Sequence, residues 1–571
     1  MFSIPMSAHI TDATSDTDRA RNAIGPHRAR TRAMLAIGAI AFVAYLFALP
    51  HPWGGRPITD NPHENVGYVL TERVLDGGGI GIPLRYYGDL PEDVAIALTP
   101  RDSSLVDGQA VPQDFAGNLG FHLLIMWIWE PLVRVVSPLL GVVGAFLLVQ
   151  LFAELRARGD DAAKPSWRRP RDRTEAAVGM ALFVLWLAHP AAFTNALWTL
   201  DSAMPSLVAV LGSTIFFFRY WKAGRWGDFA GLCLTLAAAL TIRYPNAIWA
   251  LTLGVALLVG KKLTLPRLAV GAGAAVLALG GIMAFNAATY GDPFTTGYHL
   301  TNDLVTRTVN FENTSLFRPK PIVFLGHLFW YAIAMPVILL LPLIGLGAAL
   351  RKLGARPLPG ATVALVAGSA LYLAYHAGTP TWGWAGPAMT ASFIRYTLPA
   401  MAIGLALLAG RLGSVPRKFK ATVAAICAVS VGLAVLGPSG LWSRARIIND
   451  QAAALELALD ETEPEALILA RIEDRFLWPD RQTLTLTLTT NNAEPIRRLG
   501  RNANVWRILP EAQRFAEVVA AIRQQDIPLY LMARMRLEQF DAYVDALDAI
   551  DFELEPIDPD RFFYRVVERT G

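Results

Sequence analysis

The sequence contains few charged residues. Asp, Glu, Lys and Arg make up only 17% of its 571 residues, whereas a soluble domain usually carries about 25%. Hydrophobic residues make up 53%, and the mean hydropathy is +0.37. This composition excludes an ordinary soluble enzyme and predicts an integral membrane protein with polar parts attached. The net charge of +4 is too small to indicate a nucleic-acid partner, and we expect none.

Cysteine is almost absent, since the chain has only Cys233 and Cys427. Both lie inside apolar runs, where they are typical of small core residues. This excludes a disulfide framework and a cysteine-rich zinc site.

Long apolar runs are the main feature of the sequence. A membrane-spanning helix needs roughly 20 mostly apolar residues. By that measure the fold class is an α-helical polytopic membrane protein with about eleven spans. Their approximate limits are 33–50, 137–155, 176–194, 203–219, 228–242, 246–260, 267–286, 321–350, 361–377, 396–411 and 421–438. No small-residue cleavage site follows the run at 33–50, so we expect it to be retained as the first span.

The positions of Lys and Arg predict the orientation of these spans. Basic residues concentrate in "RARNAIGPHRARTR", "RARGDDAAKPSWRRPRDR", "RYWKAGRW", "GKKLTLPR", "LRKLGARP" and "GRLGSVPRKFK". With a cytoplasmic N-terminus and about eleven spans, all of these segments lie on the cytoplasmic side. Merging the fifth and sixth spans would put two of them on opposite faces, so we expect "RYPN" to form an outer turn. We therefore expect a multi-pass protein of a bacterial inner membrane.

The polar parts define three predicted regions. Residues 1–32 form a cytoplasmic tail, 33–438 a transmembrane domain including an outer loop at 51–136, and 439–571 an extracytoplasmic domain. In the outer loop, "NLGFHLLIMWIWEPLVRVV" is apolar and aromatic but carries charge, which favours a helix lying in the membrane interface. In the last region "ALILA", "PLYLMA" and "FFYRVV" indicate short strands and "EAQRFAEVVAAIRQQ" a helix, which together predict a small α/β domain.

The segment "DNPHENVGY", Asp60 to Tyr68, follows directly after the first span. Pro62 suits the first turn of a helix, and Asp60 suits its N-cap. Glu64 and Tyr68 then lie one turn apart on one face, and "DGGG" predicts where the helix ends. A capped, solvated helix would explain these residues without any chemistry.

The same region resembles the first-loop motif of GT-C glycosyltransferases, multi-spanning enzymes that use sugars linked to lipid phosphates. "ENVGYVLTERVLDGGG" provides the acid at Glu64 and the tyrosine at Tyr68, but Asn65 stands where many members have a second acid. "TLDSAMPSLVAVLGSTIFFF", "LTIRYPNAIWAL", "FNAATYGDPFTTGYH" and "FIRYTLPAMAIGL" resemble later motifs of the aminoarabinose-transferase and protein-mannosyltransferase branches, in the same order. The resemblance covers roughly residues 33–412 and does not include the C-terminal domain.

This resemblance implies transfer of a sugar from a polyprenyl-phosphate donor to an envelope glycan, lipid or protein at the outer face. Such a reaction needs a carboxylate to take a proton and cations to hold the leaving phosphate. The implied carboxylates are Glu64, Asp60 and Asp201. The implied substrate-binding residues are Tyr68, Arg243, Tyr244, Tyr298, Arg395 and Tyr396.

Simpler explanations exist for the same residues. Asp201 could cap a helix, Arg243 and Arg395 could reach lipid headgroups, and the tyrosines could belong to an interfacial belt. A transporter or lipid flippase is the main alternative function, although no internal repeat is detected. A non-catalytic assembly protein is another.

No tight ligand spacing indicates a divalent metal. His63 and His189, beside Glu64 or Asp201, are the nitrogen ligands that such an ion could use. The cofactor requirement is therefore unknown from sequence.

Overall fold

The fold is taken from a computed structural model of the 571-residue chain. The structure describes residues 13–47, 62–90, 98–100, 103–156, 173–197, 201–297, 344–347, 360–376, 386–410, 441–470, 473–485, 525–532 and 540–569, with isolated positions between 351 and 522. Most residues of the predicted spans 321–350 and 421–438, and of the predicted helix at 511–525, lie outside these residues.

Helices make up most of the part before residue 410. They are α1 (Ala13–Phe47), α2 (Pro62–Leu75), α3 (Ala116–Trp129), α4 (Leu132–Arg156), α5 (Arg173–Ala188), α6 (Pro190–Ala196), α7 (Ala203–Ala223), α8 (Trp226–Ile242), α9 (Ala247–Val259), α10 (Leu265–Tyr290), α11 (Gly360–His376) and α12 (Gly386–Ala409). Four stretches of the described chain are long and apolar enough to cross a membrane: Ala29–Phe47, Leu132–Arg156, Ala203–Ala223 and Leu265–Tyr290. Shorter apolar helices accompany them, and the count of eleven spans stays a prediction.

Proline determines two breaks between helices. α8 and α9 are separated by a 3₁₀ turn over Tyr244–Asn246, so the predicted split of the fifth and sixth spans at "RYPN" is confirmed. The predicted single helix at 176–194 is wrong, since the structure interrupts it at His189 between α5 and α6. Pro190 explains this break, because proline lacks an N–H donor and disfavours helical backbone in the residue before it.

The predicted outer loop contains its own secondary structure. α2 begins at Pro62 and ends at Leu75, before "DGGG", as the sequence predicted. A small antiparallel sheet of β1 (Ile82–Pro83), β2 (Ser103–Val106) and β3 (Gln109–Pro112) was not predicted. α3 covers most of the predicted interfacial segment and leaves Trp127, Ile128 and Trp129 exposed at its end, whereas the last residues of that segment begin α4 at Leu132. A position of α3 in the membrane interface stays a prediction.

The C-terminal region is an α/β unit with a five-stranded mixed sheet. Its elements are α13 (Leu441–Glu461), β4 (Leu467–Ala470), α14 (Asp474–Leu477), β5 (Gln482–Thr485), β6 (Leu529–Met532), α15 (Phe540–Asp548), β7 (Phe552–Asp558) and β8 (Phe563–Glu568). The strand order is β5-β4-β6-β8-β7, with β4 parallel to its neighbours and β8 antiparallel to both of its own. The three strands predicted from sequence, β4, β6 and β8, are confirmed.

The outer loop and the C-terminal unit share one hydrophobic core. Val66, Val69 and Leu70 of α2 pack in the same buried cluster as Leu467 and Leu484 of the sheet. Such a continuous core stabilises both parts together, because each buried Val or Leu side chain contributes about 1.5–3 kcal/mol.

Polar contacts join the same two parts. The amide nitrogen of Asn65 donates to the carbonyl oxygen of Trp478 at 2.9 Å, and Gln482 donates to the carbonyl oxygen of Leu98 at 3.1 Å. These contacts attach α2 and the loop that follows it to the C-terminal unit. The domain limits 1–32, 33–438 and 439–571 stay predictions.

Candidate functional site

Asp201 links two distant helices at the start of α7. Its Oδ1 accepts a hydrogen bond from the backbone N–H of Ala203 at 2.7 Å. Its Oδ2 accepts from Nη1 of Arg395 in α12 at 3.0 Å, and the two side chains are only 4% and 10% exposed. One carboxylate oxygen thus binds the first residue of α7, although Ser202 is the N-cap residue, and the other oxygen pairs with Arg395. The catalytic role of Asp201 stays a prediction.

Arg243 lies directly after α8, at the turn that separates it from α9. Its Nη1 donates to the carbonyl oxygen of Arg395 at 3.1 Å, and its guanidinium carbon lies 4.7 Å from the centre of the Tyr396 ring. The residue is 4% exposed, and it forms no ion pair with a carboxylate of the described residues. A buried guanidinium in this state is costly until an anion neutralises it.

Tyr396 contacts both arginines. Nη2 of Arg395 donates to the Tyr396 hydroxyl at 2.9 Å, and its guanidinium carbon lies 4.9 Å from the ring centre. Cation–π contacts of this kind contribute about 0.5–2 kcal/mol, which partly offsets the cost of burying the two cations. Arg243, Arg395, Tyr396 and Asp201 are hereafter the arginine cluster.

His376 belongs to the same cluster of side chains, although sequence reasoning gave it no role. Its ring stacks on Tyr396 at 5.2 Å with an interplanar angle of 17°, and Tyr372 packs edge-on against it. The Nε2 atom of His376 is buried and has no hydrogen-bond partner among the described residues. In the sequence His376 only ends an apolar run. Its proximity to Arg395 and Tyr396 arises in the folded structure, so no local pattern could reveal it.

The predicted outer turns pack around the arginine cluster. The Tyr244 hydroxyl donates to Asn286 Oδ1 at 3.4 Å, and the Phe115 ring meets Tyr244 edge-on at 4.8 Å. Tyr290, the tyrosine of "TYGDPF", donates to the carbonyl oxygen of Pro112 at 2.7 Å. Segments predicted to share one face of the membrane are therefore in contact.

Close approach of α3 to α8 completes this packing. A Cβ atom added at Gly117 would lie 2.5 Å from the backbone carbon of Thr241, so only glycine allows the contact. One turn along α3, buried His122 interacts electrostatically with Asp201. α3 thus connects the arginine cluster to the exposed aromatic residues at its other end.

Tyr68 contacts residues other than those of the arginine cluster. Its hydroxyl donates to Glu130 Oε1 at 2.5 Å, and the side chain is buried in the core shared with the sheet. Burial, reinforced by the hydrogen bond to Glu130, raises the pKa of Tyr68. The described contacts do not join Tyr68 to the arginine cluster.

The side chains of three predicted site residues lie outside the described part of the structure. Glu64 lies in the first turns of α2, but its side chain is outside the described part of the structure. Asp60 and Tyr298 lie entirely outside the described residues. Their roles stay predictions.

The described residues contain no group of three His, Cys, Asp or Glu side chains close enough to hold a metal ion. His189, one of the nitrogen ligands considered from sequence, stacks on Trp186 at 6.0 Å. The side chain of His63 is outside the described part.

The arrangement favours an anion. The four residues of the arginine cluster carry two guanidinium groups and one carboxylate, so these described residues have a net charge of one positive unit. Because the cluster is buried, an anion is attracted more strongly there than it would be in water. Arginine presents a planar fork of donors that matches phosphate oxygens. A phosphate group is therefore the ligand that this geometry suits.

Comparison with known proteins identifies the fold class. No protein-family model matches the sequence, and no curated protein matches it. Among solved structures, ArnT from Cupriavidus metallidurans bound to undecaprenyl phosphate is similar at a TM-score of 0.51 and 12% identity, over 94% of this chain and 97% of that one. ArnT is a GT-C superfamily member, so the resemblance stated from sequence is confirmed at the level of the fold.

Two further structures are similar at lower scores. One is ArnT from the same organism in the apo state, with a TM-score of 0.49, 14% identity, and coverage of 94% of this chain and 98% of that one. The other is the archaeal oligosaccharyltransferase AglB from Archaeoglobus fulgidus in complex with an inhibitory peptide and a dolichol-phosphate, with a TM-score of 0.48, 12% identity, and coverage of 93% and 74%.

Proposed function

We propose that the protein is a membrane glycosyltransferase that moves a sugar from a polyprenyl-phosphate donor to a cell-envelope glycan, lipid or protein. The observation that carries this proposal is the buried arginine pair, in which Arg243 has no carboxylate partner among the described residues. The GT-C fold and the undecaprenyl phosphate bound to ArnT support the same ligand class. We further propose that the site faces the outside of a bacterial inner membrane.

Arg243 and Arg395 hold the phosphate of the donor. Negative charge develops on this phosphate as the sugar departs, and preoriented cations in a water-poor site stabilise that charge. Asp201 positions Arg395 through the ion pair at 3.0 Å. Tyr396 keeps both guanidinium groups against one ring. Tyr244 follows Arg243 directly in the turn after α8, and Tyr298 stays a substrate-binding residue predicted from sequence.

Glu64 is the general base of the proposed reaction. A base needs a carboxylate oxygen within hydrogen-bond reach of the acceptor hydroxyl. Both oxygens of Asp201 are engaged, one by Ala203 N–H and the other by Arg395. The task therefore falls to an acid of the "DNPHENVGY" segment, and Asp60 is the substitute if Glu64 is not the base.

The test is sugar transfer by the purified protein in detergent, with a panel of polyprenyl-phosphate sugars and products detected by mass. We expect transfer from one donor, loss of at least about 100-fold in Glu64→Gln because general-base catalysis contributes about 10²–10⁴-fold, and an unchanged rate in Asp60→Asn. Transfer at the wild-type rate by Glu64→Gln together with loss in Asp60→Asn would move the base to Asp60.

Arg243→Gln tests the phosphate site separately from the base. We expect it to abolish the binding of undecaprenyl phosphate, while Arg446→Gln, at an exposed arginine of α13, leaves binding unchanged. If the protein binds no polyprenyl phosphate and transports a lipid across vesicles instead, the glycosyltransferase proposal is wrong and the transporter alternative stands.

A further inference from the structure

A second basic site lies at the opposite end of the membrane helices. α7 has 21 residues, which at about 1.5 Å per residue separate its two ends by about 30 Å, the hydrocarbon thickness of a bilayer. Asp201 precedes one end of α7. The other end leads into the turn at Gly224, which lies beside the turn at Gly260 between α9 and α10.

These two turns are joined by aromatic and polar contacts. Arg267 donates through Nη2 to the carbonyl oxygen of Gly224 at 2.7 Å. Its guanidinium carbon lies 5.2 Å from the ring centre of Tyr220 and 5.1 Å from that of Trp226. The Tyr220 hydroxyl in turn donates to the carbonyl oxygen of Lys262. The two turns therefore pack together into one continuous surface.

Some of the positive charge at this end is neutralised inside the protein. Glu154 of α4 is fully buried and pairs with Arg219 at 3.1 Å and with Lys222 at 3.6 Å. By contrast, Lys261, Lys262 and Arg267 form no ion pair with any carboxylate that the structure describes. The ammonium of Lys262 lies 5.6 Å from the ring centre of Trp221. Lys261, Lys262 and Arg267 are hereafter the basic triad.

Lys261 has a left-handed backbone conformation, with φ of 51°. Its N–H donates to Leu258 O and the N–H of Lys262 donates to Leu257 O, which is the helix-ending arrangement in which glycine is preferred at this position. A lysine here strains the backbone, since the left-handed region is unfavourable for residues with a Cβ. An observed outlier of this kind points to a function for the side chain.

An apolar surface adjoins the basic triad. Leu258 and Val259 at the end of α9, and Leu265 and Leu268 at the start of α10, are exposed large hydrophobic residues. Trp226 is about half exposed beside them, at 49%. Amphipathic aromatic rings at this position are typical of the level of lipid headgroups.

We propose that the basic triad binds the headgroup phosphate of an anionic phospholipid of the cytoplasmic leaflet, with its acyl chains on the exposed face of α9 and α10. The uncompensated positive charge complements the lipid phosphate, and the adjoining apolar surface complements its chains. Basic residues at a membrane surface attract anionic lipids with about 1 kcal/mol each, or about fivefold in affinity. This site is separate from the arginine cluster and does not depend on the proposed glycosyl transfer.

The experiment compares lipid binding with thermal stability in the full-length protein, stripped of lipid in detergent. Phosphatidylglycerol, phosphatidylcholine and inorganic phosphate are added separately, and the apparent melting temperature and bound lipid are measured. We expect a rise in melting temperature and retained lipid with phosphatidylglycerol only. Equal effects of phosphatidylcholine, or an equal rise with inorganic phosphate, would overturn the proposal.

Lys261→Gly gives a sharper test because its two effects have opposite signs. Glycine relieves the left-handed strain, so we expect a higher melting temperature without lipid, together with about fivefold weaker binding of phosphatidylglycerol. Lys261→Gln keeps the strain and removes the charge, so it should lose the same binding without gaining stability. Arg446→Gln, on the C-terminal unit, serves as the control. Undiminished phosphatidylglycerol binding in both Lys261 variants would refute the assignment.

Discussion

Replacement of Asp201 by asparagine isolates the buried ion pair with Arg395. Asparagine keeps a side-chain oxygen that can accept the hydrogen bond from Ala203 N–H, so the helix cap is preserved. The substitution removes only the negative charge. Arg395 then loses the carboxylate that pairs with it at 3.0 Å, while the described contacts of Arg243 are unchanged.

The expected cost follows from the burial of the pair. The two side chains are 4% and 10% exposed, and Oδ2 and Nη1 are 3.0 Å apart. Removing one partner of such a buried pair costs about 3–5 kcal/mol, because the remaining charge stays desolvated. Removing both charges in Asp201→Asn with Arg395→Gln should cost less than the sum of the single substitutions, with a coupling of about 2–3 kcal/mol.

The assay is thermal unfolding of the purified protein in detergent, followed by the fluorescence of its 15 tryptophans. Asp201→Asn should melt several degrees below the wild type, whereas Asp526→Asn, at an exposed position with φ of 49° that suits asparagine, should not. Undecaprenyl phosphate should stabilise Asp201→Asn more than the wild type, because the substitution removes one negative charge from the cluster. The reasoning is refuted if Asp201→Asn melts with the wild type, or if the two single effects simply add.

Three other substitutions test the surroundings of the site. Tyr68→Phe should lower the free energy of unfolding by about 0.5–1.5 kcal/mol, because one hydrogen bond is lost while the exposed Glu130 can bind water instead. A raised KM for donor at unchanged stability would instead show that Tyr68 binds substrate. Asn65→Asp introduces the second acid of the GT-C motif but places a carboxylate against the carbonyl oxygen of Trp478. We therefore expect lower thermal stability and no gain in transfer rate. A faster rate would contradict this. Gly117→Ala should cost about 1–3 kcal/mol by pushing α3 away from Thr241, whereas Gly120→Ala, with open space around its Cβ, should be tolerated.

Local signals were enough to predict several elements. The limits of α2 follow from Pro62 and "DGGG", and the break between α8 and α9 at "RYPN" follows from the distribution of basic loops. Short apolar runs predicted β4, β6 and β8, because strands buried in a sheet are compact and apolar. In each case the signal lies within a few residues of the element.

Contacts between distant parts of the chain could not be predicted in the same way. The ion pair of Asp201 with Arg395 joins residues 194 positions apart, and the stacking of His376 on Tyr396 depends on the packing of α11 against α12. The docking of α2 on the C-terminal sheet through Asn65 likewise spans 413 positions. Sequence pattern places these residues near one face of the membrane but does not pair them.

The ends of α7 and α8 explain how charged residues are stabilised at the candidate site. A helix N-terminus carries partial positive charge and favours a carboxylate, and a C-terminus carries partial negative charge and favours a cation. Asp201 precedes α7 and Arg243 follows α8, so each charge lies at the helix end that stabilises it. Asp201 accepts the hydrogen bond from Ala203 N–H with one oxygen and pairs with Arg395 through the other. The residue that binds the start of α7 therefore also positions one of the two arginines of the proposed phosphate site.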